Sequence, residues 1–235
     1  MFPVISIGSL KASGSATVAL TLASVAAAAD IPVTLIDAAE NEELARWAAK
    51  PGRPDRLQFE PTSSVACIAP IVSEARRRGA IVIIDAGEAE ETLRAAAGLA
   101  DRALIPVRFS PLSAYSALVT DQLLAADSRF GERRGNRCFV ASAVTAVGSG
   151  IARSIEAIIG TSDTPRLPIG LSQCAAHEAP FVHGGTIFTL DDTAAPGLDR
   201  ARVEAASFAH AVGIFGGAAV ESDPVPVIDG LRRAA

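Results

Sequence analysis

Six apolar runs of strand length, at residues 3–8, 33–37, 80–85, 103–107, 138–143 and 167–171, recur along the chain with helix-length segments between them. Strands separated by helical crossovers pair in parallel, so the pattern predicts an α/β fold with a doubly wound, mainly parallel sheet and helices on both faces. The helical stretches read as 15–29, 42–49, 65–78, 90–99, 111–129, 150–159 and 198–215. Pro111 suits the first position of a helix, and Arg76-Arg77-Arg78-Gly79 suits a helix end, with cations on the negative dipole pole and glycine beyond. That arginine run therefore reads as a capped, solvated terminus rather than a nucleic-acid patch. No Pro/Gly/Ser-rich linker divides the 235 residues, which predicts one domain over 1–235 with 222–235 as a C-terminal tail.

The first strand-to-helix turn, Ile5-Ser6-Ile7-Gly8-Ser9-Leu10-Lys11-Ala12-Ser13-Gly14-Ser15-Ala16-Thr17-Val18, looks like a phosphate-binding loop with most of its phosphate chemistry replaced. Such a loop needs glycines where backbone N–H groups approach phosphate, a lysine for the β- and γ-phosphates, and a hydroxyl for Mg²⁺. Against the lysine-preceded pattern Lys-Gly-Gly-x-Gly-Lys-Thr-Thr, Lys11 and Thr17 are kept, while Ala12, Ser13 and Ser15 replace the three glycines and Ala16 replaces the second lysine. A Cβ at a glycine position restricts φ > 0 and crowds an anion. Loss of the lysine removes a charge-assisted contact of about 1.5–3 kcal/mol. Tight ATP binding through the usual contacts is not expected; the candidate nucleotide contacts on this loop are Lys11, Gly14, Ser15 and Thr17.

Composition narrows the partners. A net charge of −5 provides no global basic field for nucleic acid or an anionic membrane surface. Cys67, Cys138 and Cys174 lie far apart, without metal-ligand spacing, and read as buried free thiols in a reducing cytoplasm. The alanine-rich run from Val18 is interrupted by Thr21, Ser24 and Asp30 before membrane-spanning length, and no signal peptide is evident, so a cytoplasmic protein without a membrane anchor is expected. Adjacent His177 and Glu178 do not face each other on a helix, which argues against an acid/base pair. Leu198, Val203 and Phe208 read as a core-facing stripe. Gly8 and Gly14 lack the spacing of a dinucleotide site.

Separated segments now agree in order. The loop around Lys11, the strand end Leu35-Ile36-Asp37, Ile81-Val82-Ile83-Ile84-Asp85 followed by Leu104-Ile105-Pro106-Val107, and Glu178-Ala179-Pro180-Phe181-Val182-His183-Gly184-Gly185-Thr186-Ile187-Phe188 together resemble the ParA/MinD class of deviant-Walker P-loop ATPases. The likeness spans roughly residues 2–215. The short Asp37-Ala38-Ala39-Glu40-Asn41 segment leading to Arg46-Trp47 is most like ParA-type proteins of plasmid partition and conjugal DNA transfer. The resemblance implies a switch in which two subunits sandwich ATP, and the dimer positions cargo on nonspecific DNA or membrane. It assigns Lys11 as the lysine reaching the partner's phosphates, Thr17 as a Mg²⁺ ligand, Asp37 as the first switch aspartate and Asp85 as the strand-end aspartate near the metal. Read as local structure, Lys11 is a solvated loop residue, Thr17 a first-turn hydroxyl and the aspartates capping acceptors.

The departures fall on the chemistry. The family's second switch aspartate, which orients the attacking water, falls on Ala39, and Val140-Ala141-Ser142-Ala143 lacks the asparagine that often contacts adenine. These losses point to a pseudo-ATPase with no nucleotide, or weakly held ATP and Mg²⁺, acting through a protein partner or cargo adaptor. A homodimer and nonspecific DNA remain open as further partners; Arg133, Arg134, Arg137, Arg232 and Arg233 are the candidate DNA contacts. The alternatives are a genuine ParA-type ATPase with ATP-dependent dimerisation, or an ATP-dependent small-molecule ligase of the dethiobiotin-synthetase-like group. The ligase would need the loop lysine that Ala16 replaces.

Overall fold

In the computed structural model, residues 2–11, 13–108, 110–126, 136–144 and 150–216 are described. They form a six-stranded, all-parallel sheet in the order β3-β2-β4-β1-β5-β6. Its strands are β1 (Val4–Gly8), β2 (Val33–Asp37), β3 (Leu57–Pro61), β4 (Ile81–Gly87), β5 (Arg102–Arg108) and β6 (Arg137–Ala143). The helices are α1 (Ser15–Ala28), α2 (Glu43–Ala48), α3 (Val65–Arg77), α4 (Glu90–Leu99), α5 (Pro111–Ala125), α6 (Gly150–Ile159), α7 (Ala175–His183) and α8 (Leu198–Val212).

Side-chain alternation explains the double covering. Ile5, Ile7, Ile81, Ile83 and Leu104 point into a core shared with α1 and α8, whereas Val4, Val82 and Ile84 meet α3 and α4 on the opposite face. Ala103, Ile105 and Phe139 continue that second face beneath α5 and α6. The central strands are apolar on both faces, as a doubly covered parallel sheet requires. α1 is buried almost all round, and its alanines let α8 and the sheet close over it.

The structure departs from the sequence reading at four places. The segment 167–171 is not a continuous strand: Leu167 and Leu171 donate backbone hydrogen bonds to Phe139 and Ala141 at 2.9 and 2.8 Å, but Pro168 between them has no N–H to donate. Two isolated bridges, from Arg166 to Phe139 and from Ser172 to Val144, flank that segment. The edge strand β3 was not anticipated, because its Leu-Gln-Phe-Glu-Pro stretch is only half-buried and lacks an apolar run. Val203 is 68% exposed, so the α8 core face runs through Leu198, Ala201, Ala205 and Phe208 instead. Cys67 is likewise exposed, while Cys138 is buried. Among the described residues, no helix is long and apolar enough to cross a membrane.

Candidate functional site

A cleft of about 720 Å³ opens beyond the C-terminal ends of the strands, bordered by Gly14, Ser15, Thr17, Arg108, Glu178 and Lys50. This is where parallel α/β sheets place ligands, because the loops leaving the strand ends converge there. The loop after β1 is tied down on several sides. Ser9 N–H donates to the Gly87 carbonyl at 3.1 Å, and Leu10 N–H donates to Thr120 Oγ1 at 3.0 Å. The Ser142 hydroxyl donates to the Ser13 carbonyl, joining the loop to β6.

Gly14 precedes α1 at φ 79°, and its carbonyl accepts from Val18 N–H at 3.1 Å. Among the described loop residues it alone adopts positive φ, so Ser13 and Ser15 sit where a Cβ carries no left-handed strain. The strain expected from their replacement of glycine is therefore absent; Ala12 lies outside the described residues. Ser15 and Thr17 line the cleft beside Gly14, and the Ala16 methyl is buried. Lys11 is exposed and does not border the cleft.

The two aspartates occupy different environments. Asp85, at the end of β4, is fully buried, and burial pushes its pKa up to about 7 against the opposing pull of the Gly87 N–H and the Ser15 hydroxyl. Gly87 N–H donates to its Oδ1 at 3.0 Å, while Oδ2 has no hydrogen-bond partner. Asp37 instead accepts backbone N–H groups on both oxygens, from Ala39 at 3.2 Å and Ala45 at 3.1 Å. It fastens the turn into α2, and burial raises its pKa despite those bonds. Thr17 offers an oxygen at the cleft, but Asp85 is buried beneath it and biased toward protonation. A carboxyl biased toward protonation is a poor partner for Mg²⁺, which is usually held by ionised carboxylates and phosphate, and among the described residues no group of three or more His, Cys, Asp or Glu side chains is placed to hold a metal ion.

The opposite wall was not legible from motifs. Trp47 Nε1 donates to the Gly185 carbonyl at 2.7 Å, joining α2 to the turn after α7. Lys50 Nζ donates to the carbonyls of Phe181 and Val182 near the end of α7, where a cation suits the exposed C=O groups. Arg108, at the C-terminal end of β5, lines the cleft although no motif marks it. Its signal was a cation directly after the apolar run 103–107.

Of the arginines expected to face DNA, Arg137 is internal. It is 8% exposed, and its Nε donates to Asp121 Oδ1 at 2.8 Å in a network completed by the hydroxyls of Thr164 and Ser162. Lying in β6, it belongs to the fold rather than to a nucleic-acid face. Arg133, Arg134, Arg232 and Arg233 lie outside the described residues.

No protein-family model matches the chain. A curated relative, Protein ParA of Rhizobium radiobacter, is 27% identical over 191 residues, covering 80% of this chain and 86% of the relative. Among solved structures, apo McdA of Cyanothece aligns with a TM-score of 0.67 at 16% identity, over 89% of this chain and 100% of that one. MinD in the MinC:MinD cell division complex of Aquifex aeolicus aligns with a TM-score of 0.66 at 17% identity, over 88% of this chain and 94% of that one.

Proposed function

Starting from a chain that has the ParA/MinD-type P-loop fold and a ParA relative in sequence, we propose a ParA-like positioning or DNA-transfer accessory protein that acts through protein partners without turning over ATP. What supports this reading is the turn at Gly14 into α1 beside the cleft, together with alanine at positions 16 and 39, to which the family resemblance assigns the phosphate lysine and the water-orienting aspartate. Ala16 is buried at the start of α1, and Ala39 packs so closely on Gly87 that a Cβ on that glycine would lie 2.8 Å from the Ala39 Cβ. A methyl group cannot orient an attacking water, so hydrolysis loses a main contributor even if nucleotide enters.

Action through a protein partner is supported by α5, where Leu112, Tyr115 and Val119 are 77%, 58% and 52% exposed at helical spacing. Three large apolar side chains on one face give a partner more to bury than scattered surface residues would. The MinD structure aligned above is itself a complex with MinC, which fits a switch read out by a protein.

A turnover assay with ATP and Mg²⁺ tests the reading. The expected result is phosphate release no faster than background, unchanged in Asp85→Ala. Turnover that Asp85→Ala abolishes would mean that the cleft hydrolyses ATP.

A further inference from the structure

An adjoining chamber of about 370 Å³ opens beside the main cleft, and the start of α7 supplies part of its wall through Cys174, His177 and Glu178. Cys174 caps the helix, and the first turn brings His177 back beside it: His177 N–H donates to the Cys174 carbonyl at 3.3 Å. His177 is 3% exposed, yet neither ring nitrogen has a hydrogen-bond partner. Unpaired buried nitrogens are costly, so a ring with both nitrogens unmatched on a chamber wall calls for a guest. Nothing in the positioning role proposed above uses either side chain.

The thiols of the chain sit in three settings. Cys138 is buried in β6, where burial pushes its thiol up to about 12 and leaves it inert. Cys67 is exposed on α3, whereas Cys174 is half-buried against the chamber, with an imidazole at hand. Burial holds the His177 pKa below its ordinary value, with the Glu204 carboxylate opposing, so the ring is neutral at pH 7 and keeps a lone pair that can take a proton. Glu204 does not occupy that lone pair's partner role, because its oxygens accept from the N–H and the hydroxyl of Ser172. Arg108 and Glu178 place opposite charges on the chamber wall, which suits a small neutral reagent better than an anion or a cation.

We propose that Cys174 is a site of oxidation by hydrogen peroxide, with His177 carrying the proton. The Cys174 sulfur attacks one peroxide oxygen, and the S–O bond forms as the O–O bond breaks. The thiol proton passes to the His177 lone pair and on to the leaving hydroxide, which departs as water. Sulfur gives up an electron pair and peroxide takes it, so Cys174 ends as a sulfenic acid and the ring returns neutral. The sulfenic O–H then offers the ring the partner it lacks in the reduced chain. The step stands whether or not the cleft turns over ATP.

The test exposes the full reduced chain to hydrogen peroxide in the presence of dimedone, which traps sulfenic acid, and maps the adducts by mass spectrometry. Cys174 should label at least about tenfold faster than Cys67, whose exposed thiol is the internal reference, since positioned proton transfer accelerates a reaction by that order or more. Cys138 should stay unlabelled. Iodoacetamide separates access from proton transfer, because its leaving iodide needs no proton. His177→Gln should slow peroxide labelling of Cys174 by about tenfold and change its iodoacetamide rate by less than about threefold, as access to the thiol is kept. The assignment is overturned if Cys174 of the wild type labels no faster than Cys67, or if His177→Gln slows both reagents alike or neither. The wild-type comparison needs no variant, so it decides the matter even where His177→Gln fails to fold.

Discussion

On the α1 side of the cleft, the chain leans on small polar side chains: Ser9 and Leu10 reach Thr120, Ser142 reaches Ser13, and one glycine, Gly14, turns into the helix. On the α2–α7 side the fit is tight. Trp47 is buried and bonded to Gly185, and its ring meets Phe59 edge-on with centroids 6.1 Å apart. Gly184 and Gly185 both have positive φ, and Gly185 N–H donates to the Pro51 carbonyl at 2.9 Å. The first wall carries replaceable chemistry on a retained frame, whereas the second allows little change without moving backbone. The difference teaches that this sequence specifies the shape of the cleft more strictly than the phosphate contacts within it.

Gly184→Ala should break the comparison's stricter wall most severely. The new Cβ would lie 2.4 Å from the Pro51 carbonyl oxygen, on a residue at φ 84°. A left-handed penalty and a backbone clash together should cost about 3 kcal/mol or more. Ser13→Gly, on the loop side, should cost less than about 1 kcal/mol, because Ser13 is unstrained and its carbonyl bond from Ser142 survives. Chemical denaturation of the two variants checks the contrast. Equal losses would mean the loop is as tightly specified as the far wall.

Asp85 gives a smaller, pH-dependent effect. Its folded-state pKa is about 7 against an ordinary 3.8, so between those values the folded chain holds a proton that the unfolded chain has released. Its stabilising contribution is therefore full below about pH 4 and is lost as pH rises through about 7. Asp37, also raised by burial, acts in the same direction. Asp85→Asn, which keeps the acceptor for Gly87 N–H, should be more stable than wild type at pH 8 by roughly 2 kcal/mol, with the gap closing near pH 4. Thermal melts across that range decide it; a gap that widens toward acid would contradict the assignment.

The legibility of the sequence follows the same division. Ile81-Val82-Ile83-Ile84 reads as a strand because a centre strand must be apolar on both faces, and the structure has it there. β3 escaped because an edge strand tolerates Gln58 and Glu60. α7 was visible only as a motif, since Pro180 lies inside it. Within the cleft, Gly14, Ser15 and Thr17 follow from the register of one loop, which is local information. Arg108 and His177 come from β5 and α7, and only the sheet order brings them to that loop. Asp37 carried the right address, at a strand end, but its oxygens are engaged by local backbone N–H groups that no motif reveals.

The central claim, a phosphate frame kept while its chemistry was replaced, is tested most directly by restoring that chemistry. The variant combining Ala12→Gly, Ser13→Gly, Ser15→Gly and Ala16→Lys should bind ATP at least about tenfold more tightly than wild type, since it regains both backbone access and a cation. Its hydrolysis should stay at background until Ala39→Asp is added, because binding and water orientation are separate tasks. A restored loop that binds no better than wild type would contradict the account, because the frame around Gly14 and Thr17 would then not be a phosphate frame.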